Sequence, residues 1–310
     1  MKLILENWKK FINEKVAPGT QKKLQQIPLT DPGAAKDYLQ DLEPEERAAL
    51  AKGKEDAKPG DEIIKIAPMT PSVGDLEPTQ QEISLMGSIG FPLSSIDSLE
   101  NIKTGDPKGE NDRIVTAGPY VIDGHHRWSS IFAMAGPGGK ILARNVALPG
   151  KDSNQKLAVA QVGIVATMDP KARGVPEAEM EGGEGEGPAD NILGNDAKSI
   201  KTMITKVIGQ VHPKTGKKIL GDEYVELAKN SADAQTYFKI SQQNDTKIAR
   251  SKIVNQVATN LAAIPSNPAA PARIDMPQFT GGDTHAGQFS DEDVFATMQA
   301  GAVNFKPPFE

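Results

Sequence analysis

Hydrophobic positions along the chain fall into short periodic blocks separated by polar stretches rich in Gly and Pro. Residues 1–14 place Ile4, Trp8, Phe11 and Ile12 on one helical face, with Leu5 beside them and Lys9, Lys10 and Asn13 elsewhere. That spacing predicts a short amphipathic helix, ended by Pro18-Gly19. Residues 15–61 are polar apart from a helical piece around Asp37 to Ala51. From Glu62 the pattern changes. EIIKIA predicts a strand, and Pro78 opens PTQQEISLMGSI, whose Ile83, Met86 and Ile89 lie near one face of a predicted helix with Pro in its first turn. After a polar loop through Asn111, PYVI predicts a short buried strand that runs into Asp123-Gly124. It leads at once into HHRWSSIFAMAG, where Trp128, Ile131, Phe132 and Ala135 sit at helical spacing before Gly136-Pro137-Gly138-Gly139 stops the helix. ILARNVAL alternates Leu142, Arg144 and Val146 as a half-buried strand does. Residues 157–167 suit strand and helix equally.

Residues 169–195 contain EAEMEGGEGEGPAD, acidic, Gly-rich and without a period, which predicts a linker. Asp196 can then cap a helix carrying Ile200, Met203, Ile204, Val207, Ile208 and Val211. HPKTGKK reads as a turn, and helices follow around Asp222 to Ser241 and Asp245 to Ile264. The expected architecture is α/β (α+β): a domain over 62–168, a small helical bundle over 196–264, and an extended Pro-rich tail over 265–310.

Composition narrows the chemistry. The 310 residues carry 35 Lys+Arg against 41 Asp+Glu, four His and no Cys. Without cysteine there are no disulfides, thiolate metal sites or cysteine nucleophiles, so any reaction must use His, carboxylates, Arg, Lys or hydroxyls. The mild acidic excess argues against coating nucleic acid by bulk charge and leaves room only for a local basic site. No run reaches the eighteen apolar residues of a membrane span, and the first residues lack the basic-apolar-small order of a secretory signal. A cytoplasmic protein without a membrane partner is the expectation.

The most informative stretch is Asp123-Gly124-His125-His126-Arg127. A strand turning through Gly into a helix gathers backbone N–H groups and the positive helix end at one point, which suits an anion. Arg127 can grip two phosphate oxygens, and Asp123 can hold Mg²⁺ or take a proton from a hydroxyl. His125 and His126 point about 100° apart on a helix, so one faces a ligand while the other braces the loop. Gly124, His125, His126 and Arg127 are the candidate phosphate-binding residues. The bland alternative is a helix start with a buried ion pair.

The order of strand, PTQQEISLMGSI helix, loop, strand, DGHHR, helix and strand resembles the ParB/sulfiredoxin superfamily, whose Gly-x-x-Arg-type phosphate motif is matched by Gly124 to Arg127. Sulfiredoxins carry a reactive Cys where this chain has His125, so sulfinic acid reduction is excluded. Partition proteins usually read Gly-Glu-Arg-Arg, bind CTP and add a DNA-reading helix-turn-helix domain; here both middle positions are His, and the following helices lack an evident basic recognition helix. The spelling is most similar to the free-serine kinase branch. That resemblance implies a nucleotide (ATP, ADP or CTP) with Mg²⁺, a small-molecule or protein hydroxyl acceptor, catalytic roles for Asp123, His125 and His126, and Glu77 or Glu82 at the start of the earlier helix as the base. A DNA-associated clamp or nuclease is the rival it also implies.

The opening helix resembles the capsid-targeting peptides of internal head proteins in large tailed phages, with Ile12-Asn13-Glu14 as an apolar-x-Glu cleavage site. On that reading the chain is packaged in a phage head and uses its fold for binding only. The alternative is a helix that docks on its own protein.

Overall fold

A computed structural model describes residues 66–106, 113–148, 150–157, 160 and 190–272. The expected helices over 1–14 and 37–51, the tail beyond 272 and the stretch 161–189 lie outside these residues. The chain divides into two compact units, one formed by Pro68–Arg144 with Glu177–Pro268, the other by Met1–Ala67, Asn145–Pro176 and Ala269–Glu310. In the second of these, Asn154 donates through Nδ2 to the Ala269 carbonyl, and the Lys156 ammonium donates to the Leu148 carbonyl.

The fold is α/β, with a five-stranded mixed sheet of order β1-β5-β3-β4-β2. Its strands are β1 (Ile66–Met69), β2 (Glu77–Pro78), β3 (Ile114–Ala117), β4 (Tyr120–Asp123) and β5 (Ala143–Val146). β3 and β4 form an antiparallel hairpin, and β2 runs parallel to β4, with Glu77 beside Tyr120 and Pro78 beside Val121. A 3₁₀ turn covers Val73–Asp75. The α-helices are α1 (Leu85–Ile89), α2 (Ser98–Thr104), α3 (His125–Ala135), α4 (Ala197–Val207), α5 (Asp222–Asn230), α6 (Ala232–Phe238) and α7 (Thr246–Ala262).

α3 is buried along most of its length: Trp128, Ile131, Phe132, Ala133 and Met134 are all in the core. A helix buried on every side needs neighbours on every side, and α3, whose only polar residues past its first turn are the hydrogen-bonded Ser129 and Ser130, has them. The Trp128 indole N–H donates to the Val73 carbonyl, which pins the 3₁₀ turn. Asn260 of α7 donates to the Ala133 carbonyl near the far end of α3. One continuous apolar cluster joins Val73, Leu85 and Trp128 to Ile204, Phe238 and Val257. The helices beyond residue 196 therefore belong to the same compact unit as β2 to β4 and α3, which corrects the expectation of a separate bundle. The physical reason is α3 itself, whose buried side chains pack on α7 as well as on α1.

Several local expectations are also corrected. PTQQEISLMGSI is not one helix: residues 79–84 are loop, and Ser84 caps α1 by accepting from the Gly87 N–H. The side chains of Thr79 and Gln80 bond backbone carbonyls of Val121 and Glu82, and such bonds compete with helix. Asn191 pairs with Ser84 and its side chain holds Ile83 and Gln81, so the last residues of the expected linker are packed in place. The helix expected over 222–241 breaks at Ser231, whose hydroxyl caps α6. α4 ends at Val207, and Val211 lies in a hairpin, bridged to Lys218.

Candidate functional site

β4 and α3 meet at Gly124, which adopts φ +91° and ψ 28° and is the N-cap residue of α3. β4 carries one more residue than β3 between paired positions, since Val115 pairs with Asp123 while Thr116 pairs with Val121. This irregularity at Ile122 bends the strand just before the turn and re-aims Asp123. A Cβ on Gly124 would lie 2.5 Å from Ile114 Cγ2 and 3.0 Å from Arg127 Nη2. The guanidinium thus lies against the turn, and only glycine fits beneath it.

The two imidazoles part company as they leave the helix start. His125 is buried, stacks edge-on against Trp128 and accepts at Nε2 from the Thr79 N–H, 3.1 Å away. An imidazole nitrogen that accepts carries no proton, so the ring proton of the neutral form sits on Nδ1. His125 is the brace that ties the 79–84 loop to the joint. His126 is half-buried and lies on α1, where a Cβ at Gly87 would come within 2.7 Å of three of its ring atoms. Small side chains make this close approach possible: the Ser88 and Ser129 hydroxyls are 2.7 Å apart, and Ser130 donates to the Ser88 and His126 carbonyls.

Asp123 and Arg127 form an ion pair, Oδ2 to Nη2 at 3.3 Å, with side chains 32% and 13% exposed. The contact is long for a charge-assisted bond and reached through a single oxygen. It brings together the two groups to which the sequence assigns opposite tasks, one for cation and one for phosphate. No family model, curated protein or solved structure matches the chain.

The two candidate bases are separated by the fold. Glu77 is exposed in β2 beside Tyr120, three residues back from Asp123 along the parallel neighbour, or about 10 Å. Glu82 is half-buried in the 79–84 loop that Thr79 ties to His125. Neither belongs to a helix, because α1 begins only at Leu85. Among the described residues no group of three His, Asp or Glu side chains is placed to hold a metal ion. That fits Mg²⁺ only as an ion delivered with phosphates, which is satisfied by one or two carboxylates, and Asp123 is the residue that would contact it.

Beside the same loop, Gln81, Leu193, Gly194, Ser266, Asn267 and Pro268 line an open cleft of about 230 Å³. Asn267 also donates to the Pro78 carbonyl, so loop and cleft share a wall. Sequence reasoning missed this cleft. Its residues come from three distant segments, and none carries a motif.

Proposed function

We propose that the Asp123–Arg127 joint binds the phosphates of a nucleotide and supports phosphoryl transfer to a hydroxyl acceptor or to water. The observation that carries this reading is the guanidinium of Arg127 lying against a left-handed glycine at the start of α3. Cationic fork, positive helix end and backbone turn converge on one point, and an anionic oxygen cluster satisfies all three. The Asp123 carboxylate acts as the resident counter-ion. An incoming phosphate would take its place on Arg127, and the Asp123 carboxylate is the group that would hold the Mg²⁺ accompanying a nucleotide.

Transfer then needs positioning more than covalent help from the protein. The acceptor oxygen forms a bond to the terminal phosphorus as the bond to the bridging oxygen breaks, and the nucleotide leaves with one phosphate fewer. The acceptor proton passes to a carboxylate, Glu82 or Glu77, of which Glu82 belongs to the loop tied to His125 through Thr79. His125 holds that loop, and His126, packed on Gly87, fixes the entry of α3. The bound Mg²⁺ would supply charge neutralisation between the phosphates.

The test is a thermal-shift screen of ATP, ADP and CTP with and without Mg²⁺, followed by phosphate-release and acceptor-transfer assays on whichever ligand raises the melting temperature. A ligand at one hundred times its Kd stabilises the folded state by about 2.7 kcal/mol. No shift with any nucleotide at millimolar concentration contradicts the reading.

A further inference from the structure

A second charged region lies on α4 and the hairpin that follows it. Residues 196–220 hold six lysines, Lys198, Lys201, Lys206, Lys214, Lys217 and Lys218, against a single acid, Asp196, in a chain whose net charge is -6. All six are exposed, and none forms an ion pair among the described residues. Asp196 is occupied as the cap of α4, accepting from the Ser199 N–H at 2.7 Å. Elsewhere in the same unit, Lys103 pairs with Asp233, Lys229 with Glu226 and Arg250 with Asp222, while Lys140, Lys239, Lys247 and Lys252 are exposed without an ion pair among the described residues; what sets residues 196–220 apart is the density of lysine against a single acid.

The hairpin is firmly seated. His212 is buried edge-on against Phe91, the Thr215 hydroxyl lies 2.9 Å from that of Ser94, and Leu220 donates its N–H to the Leu93 carbonyl. Inside the turn, His212 donates its N–H to the Lys217 carbonyl, and Gly209 to that of Ile219. The lysines of the turn therefore project from a fixed base that continues the C-terminal end of α4.

We propose that this lysine face binds the phosphate backbone of double-stranded DNA without reading its sequence. The occupant follows from what the face has and lacks. Lysines are point charges suited to phosphates, and duplex DNA presents one charge about every 1.7 Å of its axis. α4 is about 16 Å long, so its span alone faces more phosphates than there are lysines. Single strands are held by aromatic side chains on which bases stack, and residues 196–220 contain no Phe, Tyr or Trp. An anionic bilayer takes a helix whose apolar side is free to insert, whereas Ile200, Ile204 and Val207 of α4 are already in the core. Val211 is the one large apolar side chain exposed on the hairpin. Residues 196–220 contain no Arg or Asn, and their one Gln, Gln210, donates through its side chain to the Lys206 carbonyl, so the guanidinium and amide forks that read base edges are missing or engaged.

The test uses the full chain and a labelled 30-base-pair duplex, with affinity measured by anisotropy from 50 to 200 mM KCl. If all six lysines engage, the log–log slope is about −5. The triple variant Lys214→Gln, Lys217→Gln and Lys218→Gln, with unchanged circular dichroism, lowers it to about −3. The pair Lys198→Gln and Lys201→Gln lowers it by about 2 in the same way. Two scrambled duplexes bind equally. The proposal is overturned if no binding occurs at 50 mM KCl, if the lysine variants keep the wild-type slope, or if a single strand or phosphatidylserine vesicles bind in preference to the duplex.

Discussion

Two turns of this chain carry histidine next to cationic side chains, and they treat charge in opposite ways. At the β4–α3 joint, Arg127 is nearly buried and is met by Asp123, and His125 is consumed as a brace. At the hairpin after α4, His212 is buried as an anchor while Lys214, Lys217 and Lys218 stand in solvent with no counter-charge among the described residues. A guest at the first turn must exchange with a resident carboxylate, which favours a small, highly charged ligand with matching geometry. A guest at the second only adds to unpaired charge, which favours a long polyanion and a steep salt dependence. The same ingredients yield selectivity in one place and general attraction in the other.

The most damaging way to break this contrast is to remove the support of the first turn. Trp128→Ala empties a fully buried site and removes the indole bond to the Val73 carbonyl, with an expected loss of about 3–5 kcal/mol in urea unfolding. A loss below about 1 kcal/mol would mean that the joint does not depend on α3 packing.

Gly124→Ala follows in size. It places a methyl group 2.5 Å from Ile114 Cγ2 in a backbone conformation that L-residues rarely adopt, so a loss of at least about 1 kcal/mol is expected, together with displacement of Arg127. Wild-type stability and nucleotide-induced melting shifts in this variant would show that the tight turn is not required.

Asp123→Asn sharpens the contrast between paired and unpaired charge. It removes the counter-ion of Arg127 at a partly exposed site, where the pair itself is worth no more than about 1 kcal/mol. Without Mg²⁺ the variant should bind nucleotide more tightly than wild type, because no carboxylate competes for the guanidinium. With Mg²⁺ the advantage should vanish. Weaker binding under both conditions would mean that Asp123 is not the group displaced.

The hairpin offers the smallest effect. Burial, and secondarily the Lys214 charge, hold the His212 imidazole below its ordinary value of 6.5. A histidine whose folded value is depressed binds its proton more readily when unfolded, so its contribution is complete above about pH 6.5 and declines as pH falls toward the folded value. Melting temperature should therefore drop between about pH 6.5 and 5 in the wild type, and this component should be smaller in His212→Asn. Parallel pH profiles would remove His212 as the source.

How far the sequence foretold these features depends on whether the signal was local. β4, Gly124 and α3 were legible because a buried strand, a breaker and a helical apolar period follow one another without interruption, ending at Gly136. α7 and the cap of α4 at Asp196 were legible for the same reason. β3 and α2 were passed over, since RIVTA has only four strand residues without polar alternation and α2 is a two-turn helix flanked by polar residues. The helix assigned across Thr79 to Ser84 failed because side-chain bonds to Val121, Glu82 and Asn191 outweigh propensity. The division of labour between His125 and His126 followed from helical geometry, but which of them turns inward depends on Thr79, 46 residues away. The Asp123–Arg127 pair lies at the four-residue spacing that adjoins a helix start and stood in the sequence as the bland alternative.

The most direct test of the central claim is isothermal titration calorimetry of Mg²⁺-ATP, Mg²⁺-ADP and Mg²⁺-CTP against wild type and Arg127→Ala, with helix content checked by circular dichroism. Saturable binding of at least one nucleotide by wild type, lost in the variant at unchanged helicity, is the predicted result. Equal affinity in both proteins, or no heat of binding in wild type, would contradict it.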